Sequence, residues 1–331
     1  MSYSGKLPTF DDICAAEARI AGVAFETPVL THPAIDAAAG AEIFVKAECL
    51  QRTGSFKIRG AMNRLAQIPL DRRSSGVVAF SSGNHAQGIA RAARLLDMPA
   101  LIVMPSDAPE IKAAGVRADH AEIHTYDRET ESREDIAAAI AKSRGAVLVP
   151  SFEDPDIIAG QGTCGLEFAR QVSAMGPPLD HLICCAGGGG LISGIALAME
   201  TVSPETKIWT AEPEGHDDWR RSLEAGHPVA NAPGTRSICD AILTPRPGDL
   251  TFAVGSPLLA GGLAVSDAAV KDAMRFAANT LKLVTEPGGA AALACAVRGL
   301  PDQFLRKRVG IIVTGGNVDM TLLNTILSKP S

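Results

Sequence analysis

Short apolar runs alternate with longer helical patterns through most of the chain, and this alternation restricts the fold more than any other feature. The predicted strands occupy residues 43–47, 76–80, 100–104, 121–124, 146–149, 181–185, 207–211 and 308–314. The predicted helices between them include residues 58–67, 85–96, 133–143, 157–174 and 266–280. Continuous apolar strands separated by helices are typical of parallel sheets that helices cover on both faces. The sequence therefore predicts an α/β protein with open, mostly parallel twisted sheets.

The predicted strands fall into two groups along the chain. Residues 76–149 hold four strand–helix alternations, which predicts a compact small domain. The flanking residues 1–75 and 150–331 would form a larger second domain, as a chain of 331 residues allows. Residues 226–234, which are rich in proline and glycine, and residues 244–255 are predicted to be surface loops.

Composition excludes several classes of protein. The chain is 46% hydrophobic, has a net charge of −6 and contains no block of lysine and arginine, which argues against a nucleic-acid or membrane partner. No apolar run reaches the ~18 residues of a membrane span. The N-terminus lacks a secretory signal, and seven cysteines without a C-x-x-C pair suit a reducing compartment. We therefore expect a cytoplasmic enzyme, in which Cys184 and Cys185 are buried core residues.

A run of glycines connects the predicted strand at residues 181–185 to a helical pattern that begins near Leu191: Gly187, Gly188, Gly189 and Gly190. Glycine lets the backbone turn tightly and approach a phosphate, and the first N–H groups of the helix then point at the anion. The spacing matches neither a Walker loop nor a dinucleotide fingerprint. Such turns also occur for close packing alone, so the segment is a candidate site for a single phosphate.

Lys57 opens a predicted helix after a polar turn. A helix N-terminus carries partial positive charge, which disfavours the ammonium form of the side chain and lowers its pKa. A neutral lysine is a nucleophile that can form a Schiff base. The alternative is an ordinary, solvated lysine at the start of a helix.

Polar groups also follow two other predicted strands. Ser81, Ser82, Asn84 and His85 belong to a turn directly after the strand at residues 76–80, where a parallel sheet places its ligands. Their donors suit a carboxylate, although serine and asparagine are also ordinary helix caps. Thr314 ends the last strong strand, where a hydroxyl can hydrogen-bond a ring nitrogen without protonating it.

Taken together, these segments resemble the fold-type II pyridoxal-phosphate enzymes, which have a tryptophan synthase β-like fold, and specifically the threonine/serine dehydratase and serine racemase group. The matching segments are residues 55–61 (SFKIRGA), 81–88 (SSGNHAQG), 158–163 (IAGQGT), 187–190 (GGGG), 286–287 (EP) and 314–319 (TGGNVD). They run in family order over nearly the whole chain. The resemblance implies a two-domain fold, pyridoxal 5′-phosphate as cofactor, an amino acid as substrate and a homodimer.

The resemblance also implies residue roles. Lys57 would carry the cofactor as a Schiff base and act as the base on one face of the substrate, and Ser82 would serve the opposite face in racemisation. The residues implied to bind the cofactor are Phe56, Lys57, Asn84, Gly187, Gly188, Gly189, Gly190, Glu286 and Thr314, the last of which is often serine in the family. The residues implied to bind the substrate are Ser81, Ser82, Asn84, His85 and Arg133.

The implied activity is β-elimination of water from a β-hydroxy α-amino acid of the L-threonine/L-serine type, which gives a keto acid and ammonia. Arg133 keeps 3-hydroxyaspartate open as the substrate, because an arginine here in serine racemase-like relatives can reach a second carboxylate. Equally, it can be an exposed residue that pairs with Glu129 or Glu134. A serine racemase with dehydratase activity is a further alternative.

Two other classes are disfavoured. The turn that contains Ser81 and His85 argues against β-replacement as in cysteine synthase, and the presence of Lys57 and Ser82 argues against a non-enzymatic cofactor carrier. The chain ends at Ser331 without the regulatory domain of biosynthetic threonine deaminases, so we expect an enzyme of amino-acid catabolism.

A divalent cation is implied by the segment that follows the strand at residues 207–211. Glu212 and Asp218 supply carboxylates and His216 supplies a backbone carbonyl, and such hard oxygen ligands suit Mg²⁺ or Ca²⁺. The segment resembles the cation site of serine racemase-like members of the family. A solvated acidic loop is the alternative.

Overall fold

The computed structural model describes residues 5–108 and 110–328. The strands are β1 Val29–Leu30, β2 Glu42–Ala47, β3 Val77–Phe80, β4 Ala100–Pro105, β5 Glu122–Tyr126, β6 Val147–Leu148, β7 His181–Cys185, β8 Lys207–Pro213, β9 Leu259–Val265 and β10 Arg308–Val313. The α-helices are α1 Phe10–Ile20, α2 Pro33–Ala39, α3 Lys57–Ala66, α4 Asn84–Leu95, α5 Glu110–Ala118, α6 Arg133–Arg144, α7 Pro155–Ser173, α8 Gly190–Val202, α9 Asp218–Ala225, α10 Asp249–Gly255, α11 Asp267–Phe276, α12 Pro287–Val297 and α13 Met320–Leu327. Every strand and helix predicted above is present, and α11 continues into a π-helical turn at Ala277–Leu281.

The strands of the described residues form two separate sheets. A six-stranded sheet has the order β1-β2-β10-β7-β8-β9 and is parallel except for β1, which runs antiparallel to β2. A four-stranded sheet has the order β5-β4-β3-β6 and is parallel throughout. The predicted fold class is therefore confirmed. The four-stranded sheet lies within residues 76–149, but the division into a large domain and a mobile small domain stays a prediction.

Helices cover both faces of the six-stranded sheet. Successive residues of a strand point to opposite faces, so Ile183 of β7 packs in one cluster with Leu293 of α12. Its neighbour Leu182 packs in another cluster with Phe168 of α7 and Ile195 of α8. This two-sided burial explains why the strands are continuous apolar runs rather than alternating ones. None of the helices in the described residues is long and apolar enough to cross a membrane.

Residues 244–255 are not the surface loop that the sequence predicts. The helix α10 occupies Asp249–Gly255, and its Leu250 and Val254 pack against Ile158 of α7. The helix is only seven residues long. Because it follows a proline and a glycine at positions 247 and 248, local turn signals concealed it.

Four charged side chains form a buried ion network between the six-stranded sheet and its helices. Lys46 of β2 pairs with Glu167 of α7. Arg59 of α3 donates to both carboxylate oxygens of Glu48 at 2.8 Å and to Glu167 at 2.9 Å. Each of the four side chains is at most 8% exposed. Burial alone would raise the pKa of Glu48, but the Arg59 guanidinium outweighs burial and lowers it.

We predict that Arg59→Met destabilises the protein by about 3–5 kcal/mol, because it removes the bidentate partner of the buried Glu48 and leaves Glu167 with Lys46 alone. Urea unfolding at neutral pH measures the loss. The matched control is Arg170→Met, which removes an ion pair to Glu17 whose two side chains are 55% and 39% exposed and should cost at most about 1 kcal/mol. Equal losses in the two variants would contradict the prediction.

Candidate active site

The polar ends of several strands converge on one cavity of about 300 Å³. The glycine turn follows β7, the Ser81 turn follows β3 and Thr314 follows β10. Every residue predicted to act in catalysis, cofactor binding or substrate binding lines this cavity: Phe56, Lys57, Ser81, Ser82, Asn84, His85, Arg133, Gly187, Gly188, Gly189, Gly190, Glu286 and Thr314. Their position in the cavity does not test the roles predicted for them, which stay predictions.

The glycine turn forms a cradle of backbone donors. Gly189 is the N-cap of α8 and has a φ of 100°, which favours glycine. Within the described residues, none of the backbone N–H groups from Gly188 to Ile192 donates to a protein acceptor. Close packing also requires glycine here, since a Cβ at Gly188 would lie 2.3 Å from the Phe152 ring and one at Gly189 2.1 Å from the Trp219 ring. The close-packing interpretation is therefore correct, and the unused donors fit a phosphate, whose binding stays a prediction.

Lys57 lies at the first position of α3 and faces the cavity. Its Nζ donates to the carbonyl of Ser151 at 3.1 Å and lies 5.2 Å from the centre of the Phe56 ring. Burial lowers the pKa of the Lys57 ammonium to about 8. The pKa is lowered, as predicted from the helix dipole, but the principal cause of the decrease is the removal of the side chain from water. A lysine in this state is a nucleophile near neutral pH.

The Ser81 turn does not cap α4 with its side chains. The N-cap is Gly83, which has no side chain, and the Ser81 hydroxyl instead accepts from the N–H of Gly83 at 3.1 Å. Within the described residues the Ser82 hydroxyl has no hydrogen-bond partner, and the residue lines the cavity. Burial lowers the pKa of His85 to about 3, so its ring is neutral, and Nε2 lies 3.2 Å from the Val149 carbonyl. The turn therefore offers neutral donors to a ligand.

Asn84 and Glu286 form a buried pair beside Thr314. The Asn84 Nδ2 donates to Glu286, and its Oδ1 accepts from Asn317 at 2.8 Å. Burial raises the pKa of Glu286 to about 7, and its second oxygen has no partner. The Thr314 hydroxyl lies 3.2 Å from the Cys185 sulfur. Cys185 is buried, as predicted, but it also lines the cavity, which the sequence did not indicate.

Arg133 lies at the rim of the cavity, and its contacts fit both interpretations of the residue that the sequence allows. Its guanidinium stacks 5.5 Å from the centre of the Phe80 ring, and its Nε donates to Glu134 at 2.8 Å. The side chain is 39% exposed. The residue thus pairs with a helix neighbour and also faces the cavity, and its contact with a substrate carboxylate stays a prediction.

The predicted cation ligands lie apart from the cavity wall. Glu212 accepts from the N–H groups of Trp219 at 2.8 Å and Arg220 at 2.9 Å, so it caps α9. Asp218 accepts from the Asn231 amide at 2.7 Å, and its Oδ2 has no partner. Burial raises the pKa of Glu212 to about 8, and the negative charge of Asp218 contributes to the increase. Among the described residues, no group of three or more histidine, cysteine or acidic side chains is arranged to hold a metal, and the cation site stays a prediction.

Four charged residues that were not predicted also line the cavity, namely Lys112, Glu134, Glu153 and Asp240, and two of them form an ion pair. Lys112 of α5 and Asp240 form an ion pair there. Neither belongs to a strand-end turn. Lys112 lies inside a helical pattern, and no sequence signal distinguishes a buried lysine from an exposed one at such a position.

Comparison with known proteins shows which family and which relatives this chain resembles. The family model described as "Pyridoxal-phosphate dependent enzyme" matches residues 20–315. An L-threo-3-hydroxyaspartate ammonia-lyase from Pseudomonas sp is 46% identical over 97% of this chain and 99% of its own. An L-threonine ammonia-lyase from Thermotoga maritima is 36% identical over 97% of this chain and 78% of its own. The structure of maize serine racemase superposes with a TM-score of 0.90 at 39% identity, covering 97% of each chain.

We predict that the cofactor-free protein takes up pyridoxal phosphate faster as pH rises, with a half-maximal rate near pH 8 and a plateau about one pH unit higher. The neutral form of Lys57 is the reactive one, and it predominates above the lowered pKa of about 8. Stopped-flow absorbance between pH 6 and pH 10 measures the rate, and Lys57→Ala controls for non-covalent binding. A rate that keeps rising to pH 10, as for a solvated lysine, would contradict the prediction.

Proposed function

The chain belongs to the pyridoxal-phosphate dependent enzyme family, and on that premise we propose that it eliminates water from a β-hydroxy α-amino acid. It is a carbon–oxygen lyase of the dehydratase and ammonia-lyase type, and its products are a keto acid and ammonia. The observation that supports this most directly is the convergence of Lys57, the glycine turn and the Ser81 turn on one cavity.

The residues of the cavity fit the cofactor. The unused N–H groups from Gly188 to Ile192 would hold the phosphate, Lys57 would bond the aldehyde carbon, and the Thr314 hydroxyl would meet the ring nitrogen. Asn84 keeps a second N–H for the 3′ oxygen, because an amide nitrogen has two donors and Glu286 takes one. When bound, pyridoxal phosphate supplies an electron sink for charge that develops at the α-carbon.

The proposed chemistry of the protein's own groups is proton transfer. The lowered pKa of about 8 lets the Lys57 amine accept the α-proton near neutral pH. Loss of the β-hydroxyl as water gives an enamine, which tautomerises and is hydrolysed in water to the keto acid and ammonia. Ser82, whose hydroxyl has no protein partner in the described residues, is the proposed second proton carrier, which racemisation of the same substrate would need.

The proposed substrate class is L-threonine and L-serine, and 3-hydroxyaspartate is the second candidate. The name of the Thermotoga relative favours the first class, and the name of the Pseudomonas relative favours the second. Arg133 at the cavity rim also favours the second, since a guanidinium binds a carboxylate well. Likeness to maize serine racemase favours an additional racemase activity.

We predict keto-acid and ammonia release from at least one of L-threonine, L-serine and the 3-hydroxyaspartate stereoisomers. Lys57→Ala should reduce the rate at least a thousandfold, because it removes both the nucleophile and the base. Ser82→Ala should impair racemisation more than elimination from the L-substrate. Coupled assays of the keto acid and chiral chromatography of the remaining amino acid measure the two activities. Normal turnover by Lys57→Ala would reject the mechanism.

We also propose that Mg²⁺ or another divalent cation binds Glu212, Asp218 and the backbone carbonyl of His216. Two buried carboxylates, one with an unpartnered oxygen, suit a cation. The site would act on the cofactor cradle through Trp219, since its backbone N–H donates to Glu212 and its Nε1 donates to the Gly187 carbonyl at 2.7 Å.

We predict that Mg²⁺ raises the unfolding temperature of protein stripped with EDTA, because a ligand of the folded state stabilises it by about 2.7 kcal/mol at a hundred times its Kd. Asp218→Asn should abolish the shift, and Glu205→Gln, which changes an exposed acid elsewhere, should leave it intact. An equal shift in all three proteins, or none in the parent, would reject the cation site.

Three remaining proposals rest on the family resemblance and the sequence alone. The protein would be a homodimer, residues 76–149 would form a mobile small domain, and the protein would be cytoplasmic. The seven cysteines are all free, which is compatible with a reducing compartment.

A further inference from the structure

Lys112 places a charged ammonium group inside the candidate active site. Its side chain is only 6% exposed, and its ion-pair partner is Asp240, whose side chain is 51% exposed. Lys112 belongs to α5 beside the four-stranded sheet, whereas Asp240 begins the 3₁₀ turn Asp240–Ile242. Both residues line the cavity. The pair therefore joins two chain segments that are far apart in sequence, and one partner is buried while the other faces water.

The ammonium lies against the Ser81 turn. A Cβ placed on Gly83 would be 3.4 Å from the Lys112 Nζ, so the charge is next to the backbone between Ser82 and Asn84. Glu286 is a further acidic group of the cavity. Burial raises its pKa to about 7, the charge of Lys112 opposes that increase and the charge of Asp240 adds to it. The ammonium group of Lys112 thus lies beside the turn that offers neutral donors and pairs with the Asp240 carboxylate.

A carboxylate that enters this cavity needs a positive charge, because burial of an unpaired ion is costly and neutral donors compensate for only part of that cost. The lysine and arginine residues among the described lining residues are Lys57, Lys112 and Arg133. Lys57 is engaged by its proposed role with the cofactor. Arg133 lies at the rim, where it stacks on Phe80 and pairs with Glu134. Lys112 is the remaining cation, and it is the one beside the turn.

We propose that Lys112 is the counter-charge for the α-carboxylate of the amino-acid substrate, and that Asp240 is the exchangeable anion that holds it when substrate is absent. The inference rests on the proposed function in one respect, namely that the ligand is an amino acid. Asp240 is suited to exchange because it is half exposed and can return to water at little cost. A carboxylate at the Ser81 turn would then replace it as the partner of the ammonium.

The exchange makes opposite predictions for the two members of the pair. Lys112→Met should raise the Kd for L-serine or L-threonine by about 10- to 100-fold, the loss expected for a hydrogen bond to a charged group. Asp240→Asn should lower that Kd, because it removes the competing anion. Lys112→Arg should restore most of the affinity by keeping the charge. The change in cofactor absorbance of the holoenzyme on mixing with the amino acid measures Kd independently of turnover.

Two controls separate charge recognition from structural damage. The amide of the same amino acid lacks the carboxylate, so its Kd should be the same in Lys112→Met and in the parent protein. Lys142→Met, at an exposed position of α6, should bind both ligands as the parent does. Weaker binding in both Lys112→Met and Asp240→Asn would identify a purely structural bridge and overturn the proposal. The proposal would also be overturned if Arg133→Met, but not Lys112→Met, lost the preference for the amino acid over its amide.

The experiment distinguishes this inference from the proposed function. A parent protein that binds amino acids in the predicted Lys112-dependent way but releases no keto acid would reject the lyase assignment and support the counter-charge. If the parent protein releases keto acid while Lys112→Met binds substrate normally, the lyase assignment is supported and the counter-charge role of Lys112 is rejected. If no amino acid alters the cofactor absorbance, both are rejected.

Discussion

The buried network of Lys46, Glu48, Arg59 and Glu167 is the constraint on which the site depends. A buried ion is tolerated only when its partners are in place, so the network allows very few relative positions of β2, α3 and α7. Arg59 lies two residues after Lys57 on the same helix. Fixing the guanidinium between two carboxylates therefore fixes the start of α3, and with it the direction in which the Lys57 amine enters the cavity.

The cavity combines strong backbone polarity with side chains that burial pushes toward neutrality. Lys57 has a pKa of about 8, Glu286 of about 7 and His85 of about 3. Lys57 and Glu286 can therefore gain or lose a proton near neutral pH, whereas His85 stays neutral there. The parallel arrangement of the sheets brings these groups together, since the ends of neighbouring strands open on the same side. The cavity thus contains both fixed backbone hydrogen-bond donors and side chains whose protonation can change.

Local sequence patterns predicted eight of the ten strands in the described residues and missed β1 and β9. They also predicted several cavity-lining residues, because each motif combines a strand end with a turn and a helix start. Ser82, Lys57 and Thr314 could be found in this way. Contacts between distant segments could not: the Lys112–Asp240 pair joins residues 128 positions apart, and the ion network links β2 to α7. The helix α10 was missed because a proline and a glycine precede it. The principal cause of the lowered Lys57 pKa was also missed, because the burial of a side chain cannot be inferred from its position at the start of a helix.

The contact between Trp219 and the glycine turn has an evolutionary consequence. The indole occupies the space that any side chain at position 189 would need, and its Nε1 donates to the Gly187 carbonyl. Reducing the ring at position 219 would not make a substitution at position 189 acceptable, because the φ of 100° at Gly189 still favours glycine. That reduction would itself remove a bond to the turn and disturb the start of α9. Both positions are consequently expected to stay unchanged among descendants of this sequence.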